Sequence, residues 1–323
     1  MLADRLPLAE AERLIAAPVL LIGPPAGTDF ASLGADLRVV QTRQPDHDRI
    51  ADAVPAVSRA IPDEATAETA IVCLPRERAL ARDRIARACA ASRGTVLVDG
   101  QKTDGIDSLL KECRAKGRVG QVISKAHGKI FVIEGGDFTD WRLHPARTDD
   151  GFLTAPGTFS ADGPDPASRL LADTLPRLSG RVVDLGAGWG YLSHRALAAS
   201  EAISRIDLVE SDLAAIDCAR SNVDDPRAAF HWADATAWAA EGRVDHVICN
   251  PPFHQGRRAD PGLGRAFIAT AARCLAPRGT LWLVANRHLP YETALGERFA
   301  EIEELPGAPA FKLYRAARPR RAR

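Results

Sequence analysis

At 323 residues the chain is too long for one ordinary domain and suits two of about 150 residues each. Its 46% hydrophobic residues supply material for two cores and argue against disorder, and its 42 basic residues balance 42 acidic ones. Residues 1–150 carry 21 basic and 22 acidic side chains and the rest 21 and 20, so neither half is a polyelectrolyte and nucleic acid would have to be met by a local patch.

From the amino end, Met1-Leu-Ala-Asp-Arg-Leu-Pro7 has an acid and an early proline where a signal peptide has a basic end and an apolar stretch. The longest apolar run, 16–27, is broken by Pro18, Pro24 and Pro25 and is too short for a membrane span. A soluble, cytoplasmic chain with no membrane partner is expected. Strands are predicted at 19–22, 37–41, 69–74, 95–99, 118–124 and 129–134, with helices such as 75–91 and 105–115 between them. The segment 148–166, rich in Gly, Pro, Asp, Ser and Thr, reads as a linker and the entry to a second domain, which divides the chain into 1–150 and 151–323.

The second half repeats the alternation, with strands at 181–185, 205–210, 229–232, 244–250 and 279–286. Helices fit at 167–175, 191–200, 213–222, 263–274 and 291–300. Alternation of this kind marks parallel α/β layers, and its recurrence predicts two tandem Rossmann-like domains with mainly parallel, doubly wound sheets. The six cysteines have no metal-binding spacing; Cys73, Cys249 and Cys274 lie in or beside apolar runs, where cysteine is a small buried hydrophobe, and no metal is expected. The last nine residues, 315–323, hold five arginines and no acid, either a solvated tail or a phosphate contact.

Asp184-Leu-Gly-Ala-Gly-Trp-Gly190 follows an apolar strand and opens a helix. Gly186, Gly188 and Gly190 permit a tight turn and close approach of a ligand to the backbone. The third glycine falls one place earlier than the dinucleotide fingerprint requires, and Asp184 suits a bound ammonium better than a pyrophosphate. The loop thus leans towards S-adenosylmethionine, with dinucleotide and structural readings still open. Glu210, ending the next strand, offers an acceptor-only carboxylate to ribose hydroxyls, a device that NAD enzymes share. Asp234, after the third strand, is a candidate acceptor for an adenine amino group or a solvated loop acid. The stretch 19–27 looks like a worn copy of 182–190, but Pro24 and Pro25 lack N–H donors, so the first domain reads as a scaffold.

Asn250-Pro-Pro-Phe253 follows the strand that ends Val247-Ile-Cys249, at the edge where doubly wound folds bind ligands. An exocyclic amine on a base is a poor nucleophile because its lone pair is delocalised into the ring. The Asn250 side-chain oxygen and the Pro251 carbonyl are suited to hold its hydrogens, Pro251 and Pro252 fix the carbonyl direction, and Phe253 offers a stacking face. These four are the predicted catalytic residues. Asp184, Gly186, Gly188, Gly190, Glu210, Asp234 and Asn250 are the predicted cofactor-binding set. His254 is a nearby candidate for proton transfer, or a solvent-facing histidine.

Here the second half resembles class I S-adenosylmethionine-dependent methyltransferases, and more narrowly the RsmC/RlmG-type rRNA guanine-N2 methyltransferases. The resemblance covers about 150–317 well and the first half loosely. It rests on Gly157-Thr-Phe-Ser-Ala-Asp-Gly-Pro-Asp165, the glycine loop, Asn250-Pro-Pro-Phe-His-Gln-Gly256, Val284-Ala-Asn-Arg-His-Leu-Pro-Tyr291 and Phe311-Lys-Leu-Tyr-Arg315. Ala167 stands where the family is expected to have glycine. The resemblance implies a degenerate methyltransferase-like first domain for scaffolding or RNA recognition and a catalytic second one. It implies methyl transfer from S-adenosylmethionine to a guanine N2 amine in rRNA, 16S favoured over 23S, by a monomer acting on rRNA or a ribosomal subunit. Adenine-N6 and protein glutamine-N5 methylation, and a non-enzymatic RNA-binding assembly protein, are the alternatives.

Overall fold

The computed structural model describes residues 2–34, 36–252, 254–255, 258–259 and 261–320, with the backbone alone at 254, 255, 258, 259 and 261. The chain divides into two units, Met1–His144 and Pro145–Arg323. Among the described residues no helix is long and apolar enough to cross a membrane.

The first unit runs α1 (Leu2–Ala11), β1 (Val19–Ile22), β2 (Leu37–Val40), α2 (Gln44–Ala51), β3 (Val57–Ser58), β4 (Ala67–Cys73), α3 (Arg78–Ala91), β5 (Ser92–Gln101), α4 (Ile106–Lys116), β6 (Gly117–Lys125) and β7 (Gly128–Gly136). Its seven-stranded sheet has the order β3-β2-β1-β4-β5-β7-β6. Neighbours from β3 to β5 are parallel, and β7 and β6 add antiparallel pairs.

The second unit opens with a hairpin, β8 (Ala146–Arg147) and β9 (Leu153–Thr154), then α5 (Pro166–Thr174), β10 (Gly180–Leu185), α6 (Tyr191–Ala199), β11 (Ile203–Glu210), α7 (Leu213–Asn222), β12 (Ala228–Trp232) and β13 (Val244–Cys249). A second small pair, β14 (His254–Gln255) and β15 (Arg258–Ala259), precedes α8 (Pro261–Cys274), β16 (Leu275–Asn286), α9 (Glu292–Arg298), β17 (Phe299–Ala308) and β18 (Phe311–Pro319). The main sheet, β12-β11-β10-β13-β16-β18-β17, repeats the topology of the first.

Alternation along the central strands explains why both sheets are covered on two faces. Val182, Ile206, Leu208, Ile248 and Trp282 belong to one core, and Val183, Leu185, Val209, Val247 and Cys249 to the other. Burying each such aliphatic side chain stabilises the fold by roughly 1.5–3 kcal/mol before chain entropy is counted. The apolar runs of these strands are continuous because neither face meets water.

Three expectations change. The segment 148–166 is no linker: the unit boundary precedes Pro145, and Thr154 Oγ1 donates to Ala161 O at 2.7 Å while Thr158 is buried. Its glycines and prolines serve turns, not flexibility. The helix predicted at 291–300 stops at Arg298, and β17 and β18 were not foreseen as strands. Much of β17 is exposed, with Glu301 and Glu303 reaching Arg318 and Arg315, so its apolar alternation is weak. The arginines at 315 and 318 therefore belong to a strand, Arg320 Nε donates to Phe299 O, and 321–323 lie outside the described residues.

Candidate active site

Sheet register brings the site together. Leu185 stands opposite Val209 on one side and Cys249 on the other, so Gly186, Glu210 and Asn250 leave the sheet at one level of its carboxyl edge. A small, open cavity of about 40 Å³ lies there, lined by Phe159, Asp165, Ser168, the 186–189 loop, Tyr191 and Asn250, among others.

The glycine loop has the backbone its sequence demands. Gly188 has φ +55°, and a Cβ there would meet nothing within 4 Å, so the loop leaves room on its outer side. Gly190, φ +90°, caps α6; a Cβ there would crowd Val223 and Ala219. The Gly188 N–H donates to Glu210 Oε2 at 3.0 Å, and Glu210 Oε1 accepts from the Asp212 N–H at 2.8 Å. Ser211 Oγ donates to the same Oε1 at 3.2 Å, so Glu210 is the acceptor on which this edge of the loop converges.

Asp184 is fully buried behind the loop and is not on the cavity wall. Its Oδ2 accepts from Ser193 Oγ at 2.7 Å, whereas Oδ1 has no partner among the described residues. Burial, against the Ser193 hydrogen bonds and with repulsion from Glu210, pushes its carboxyl up to about 7. Asp234 ends its turn by accepting at Oδ1 from the Thr236 N–H and Oγ1, at 2.8 and 2.7 Å, and does not line this cavity. Burial, with Asp184 nearby, raises the Cys249 thiol well above its ordinary range, which makes it an inert core residue.

Asn250 lies on the cavity wall. Its Nδ2 donates to Asp165 Oδ2 at 2.9 Å and to Ser168 Oγ at 2.8 Å. Pro251 is buried and Pro252 exposed, so this turn is anchored on one side and open on the other. Phe253 and the His254 side chain lie outside the described residues.

The sequence reading missed Phe159, Asp165, Ser168 and Trp189 as parts of the site. Phe159 is 58% exposed at the cavity rim, and its carbonyl accepts from Trp189 Nε1 at 3.0 Å. An aspartate followed by proline before a helical run is a legible N-cap signal, but its reach to Asn250 is not. Two other quoted motifs build scaffold: Tyr291 is wholly buried against Gly264, and Tyr314 Oη and Lys312 Nζ both bond Glu292 Oε1, tying β18 to α9.

A profile of the methyltransferase small domain matches residues 150–315. A ribosomal RNA small subunit methyltransferase C of Salmonella arizonae is 36% identical over 54% of the chain, which spans about half (52%) of that relative's length. The protein of the same name from Shewanella halifaxensis is 28% identical over 79% of the chain and 78% of its own. Among solved structures, the 16S rRNA guanine-N2 methyltransferase of T. thermophilus, in complex with AdoMet and guanosine, superposes with a TM-score of 0.77 at 25% identity, covering 98% of this chain and 93% of that one.

Proposed function

The chain belongs to the methyltransferase small domain family, and from that premise we propose that it transfers a methyl group from S-adenosylmethionine to the exocyclic N2 amine of a guanine in 16S rRNA. The observation that carries this reading is that the glycine loop and Asn250 line one cavity. The names of the relatives and of the superposed structure support the substrate.

The residues present fit the cofactor. Gly188 leaves room for close approach, Glu210 beside it is the acceptor proposed for the ribose hydroxyls, and Asp184, buried behind the loop with Oδ1 unpartnered among the described residues, offers its charge to a cationic group. Asp234 is the acceptor proposed for the adenine amine. When bound, S-adenosylmethionine supplies a methyl group already activated on a positively charged sulfur.

The work left to the chain is alignment and exclusion of water. Asn250 Oδ1 and the Pro251 carbonyl accept the two amine hydrogens and turn the lone pair out of conjugation. The amine becomes acidic only as its new bond forms, so no strong base is required. The target base has to leave its stack to reach the cavity, and the exposed Phe159 ring offers it a face, with Phe253 as a second one. The first unit serves as scaffold or RNA-recognition module, and the enzyme acts in the cytoplasm as a monomer on rRNA or a ribosomal subunit.

Mass mapping of rRNA nucleosides from a strain lacking the chain tests the reading. One N2-methylguanosine should vanish from 16S rRNA and return on complementation. Loss from 23S rRNA instead, or loss of N6-methyladenosine, would overturn it.

A further inference from the structure

Asn250 is an ambiguous group chemically. Its side-chain amide has a donor end and an acceptor end of equal size, and only one of them is able to hold an amine hydrogen. A half-turn about the last side-chain bond would present Nδ2 to the substrate and repel an amino group. Something has to fix the choice.

Two groups on α5 fix it. Asp165 Oδ2 and Ser168 Oγ both lie within hydrogen-bond distance of the same end of the amide, at 2.9 and 2.8 Å. Asp165 Oδ2 already accepts from the Ser168 N–H at 2.9 Å, so it faces Asn250 as an acceptor. The end of the amide turned to it is therefore the donor end. Both Nδ2 hydrogens are then engaged. Asn250 Oδ1 has no protein partner among the described residues and is the atom left for a ligand.

Asp165 and Ser168 are held by an element of their own. Asp165 is the N-cap of α5, Pro166 occupies the first turn with its fixed φ, and Ser168 is 8% exposed. The sequence 157–165 thus ends on a device that reaches 85 residues along the chain to the other catalytic segment.

We infer that Asp165 and Ser168 are positioning residues that lock the Asn250 amide with its donor end turned into the protein and Oδ1 turned to the cavity, making the site selective for an amino group. The inference rests on the proposed methyl transfer to an amine for its meaning, but the lock itself is testable without activity.

The test uses the full chain and five variants: Ser168→Ala, Asn250→Ala, the double variant of these two, Asp165→Asn and Asp165→Ala. Ser168→Ala removes one acceptor and leaves the backbone N–H that Asp165 caps. In the free protein, the Asn250 side-chain NH2 resonances, identified by their loss in Asn250→Ala, should exchange slowly with water and exchange faster in Ser168→Ala. In single-turnover methylation of 16S rRNA, Ser168→Ala should lower the rate about tenfold with little change in KM, the size of one lost hydrogen bond. In the Asn250→Ala background the same change should have no further effect, because nothing remains to be oriented. Asp165→Asn, which keeps an acceptor for both the cap and Asn250, should retain most of the rate that Asp165→Ala loses. Equal losses from Ser168→Ala in both backgrounds, or unprotected Asn250 amide hydrogens in the wild-type chain, would overturn the lock. A protected amide in a chain that methylates no guanine would overturn the functional reading and leave the lock standing.

Discussion

At the carboxyl edge of the first sheet, Gly23, Gln41 and Cys73 hold the places that Gly186, Glu210 and Asn250 hold in the second. Ile22 lies opposite Val40 and Val72 much as Leu185 lies opposite Val209 and Cys249. The contents differ. Where Gly188 N–H donates to Glu210, the first unit has Pro25, with no N–H, and Gln41 Nε2 donates to the Pro24 carbonyl at 2.9 Å. A side chain at Gly23 would run into the Arg84 guanidinium, so a cation sits against that loop. The buried acid Asp184 is matched by Leu21, which is apolar and fully buried.

The difference teaches that ligand chemistry on this fold resides in a few edge groups and carries a stability penalty. An unpaired buried carboxylate oxygen is unfavourable, and a ligand that uses its charge offsets that cost. The first unit replaces that group with leucine and fills its own loop with internal partners. It places its own buried charge elsewhere: Arg5, fully buried, bonds Asp99 through two atoms at 2.6 and 3.0 Å and the Lys125 carbonyl at 3.0 Å.

The largest expected effect therefore lies in the first unit and concerns stability. Arg5→Ala leaves Asp99 buried without its partner and should destabilise the fold by about 3–5 kcal/mol in denaturant titration, with cofactor binding by the molecules still folded unchanged. A loss below about 1 kcal/mol would show that the pair is not what organises this unit.

Next comes Asn250→Ala, which removes an acceptor used as the lone pair localises. Single-turnover methylation at saturating cofactor should fall by about 2.7–4 kcal/mol in barrier terms, a hundred- to thousandfold, while cofactor Kd hardly moves. Wild-type turnover in this variant would make the turn structural and erase the contrast with Cys73.

Glu210→Ala should do the reverse. Loss of charge-assisted hydrogen bonds weakens cofactor binding by about 1.5–3 kcal/mol, roughly ten- to hundredfold, by calorimetry. Gln41→Ala, at the matching place, should leave binding untouched. Equal effects from both variants would mean that the first loop also binds ligand.

The smallest effect is a pH slope. The folded-state Asp184 carboxyl is raised from the ordinary 3.8 to about 7, so its protonated form is favoured in the free fold. Its contribution to stability is intact below about pH 4 and is lost as pH rises through 7. A cationic ligand group prefers the ionised form, so cofactor affinity should rise about tenfold between pH 6 and pH 8. Asp184→Asn should flatten both slopes; an unchanged affinity slope would assign it to another group.

Much of the architecture was legible in the residues themselves. Two-sided apolar runs such as Val244–Cys249 mark buried parallel strands, and the glycines of 186–190 announce a turn that no other residue fits as well. The antiparallel edge was not legible, because β17 is largely exposed and carries glutamates where apolar alternation would have marked a strand. The role of 148–166 was hidden for a related reason: turn-forming composition looks the same in a linker and in a folded site wall.

By itself the sequence determined what depends on neighbours along the chain: strand periodicity, the loop's left-handed backbone, the cap at Asp165 and the chemical types Glu210 and Asn250. Only the tertiary structure decided which of those groups meet. The level at which Gly186, Glu210 and Asn250 leave the sheet is set by strand register, and the orientation of the Asn250 amide by acceptors on a helix 85 residues away. Hydrogen bonds act over about 3 Å and are directional, so a constellation held by them exists only after the packed cores have fixed the distances between its members.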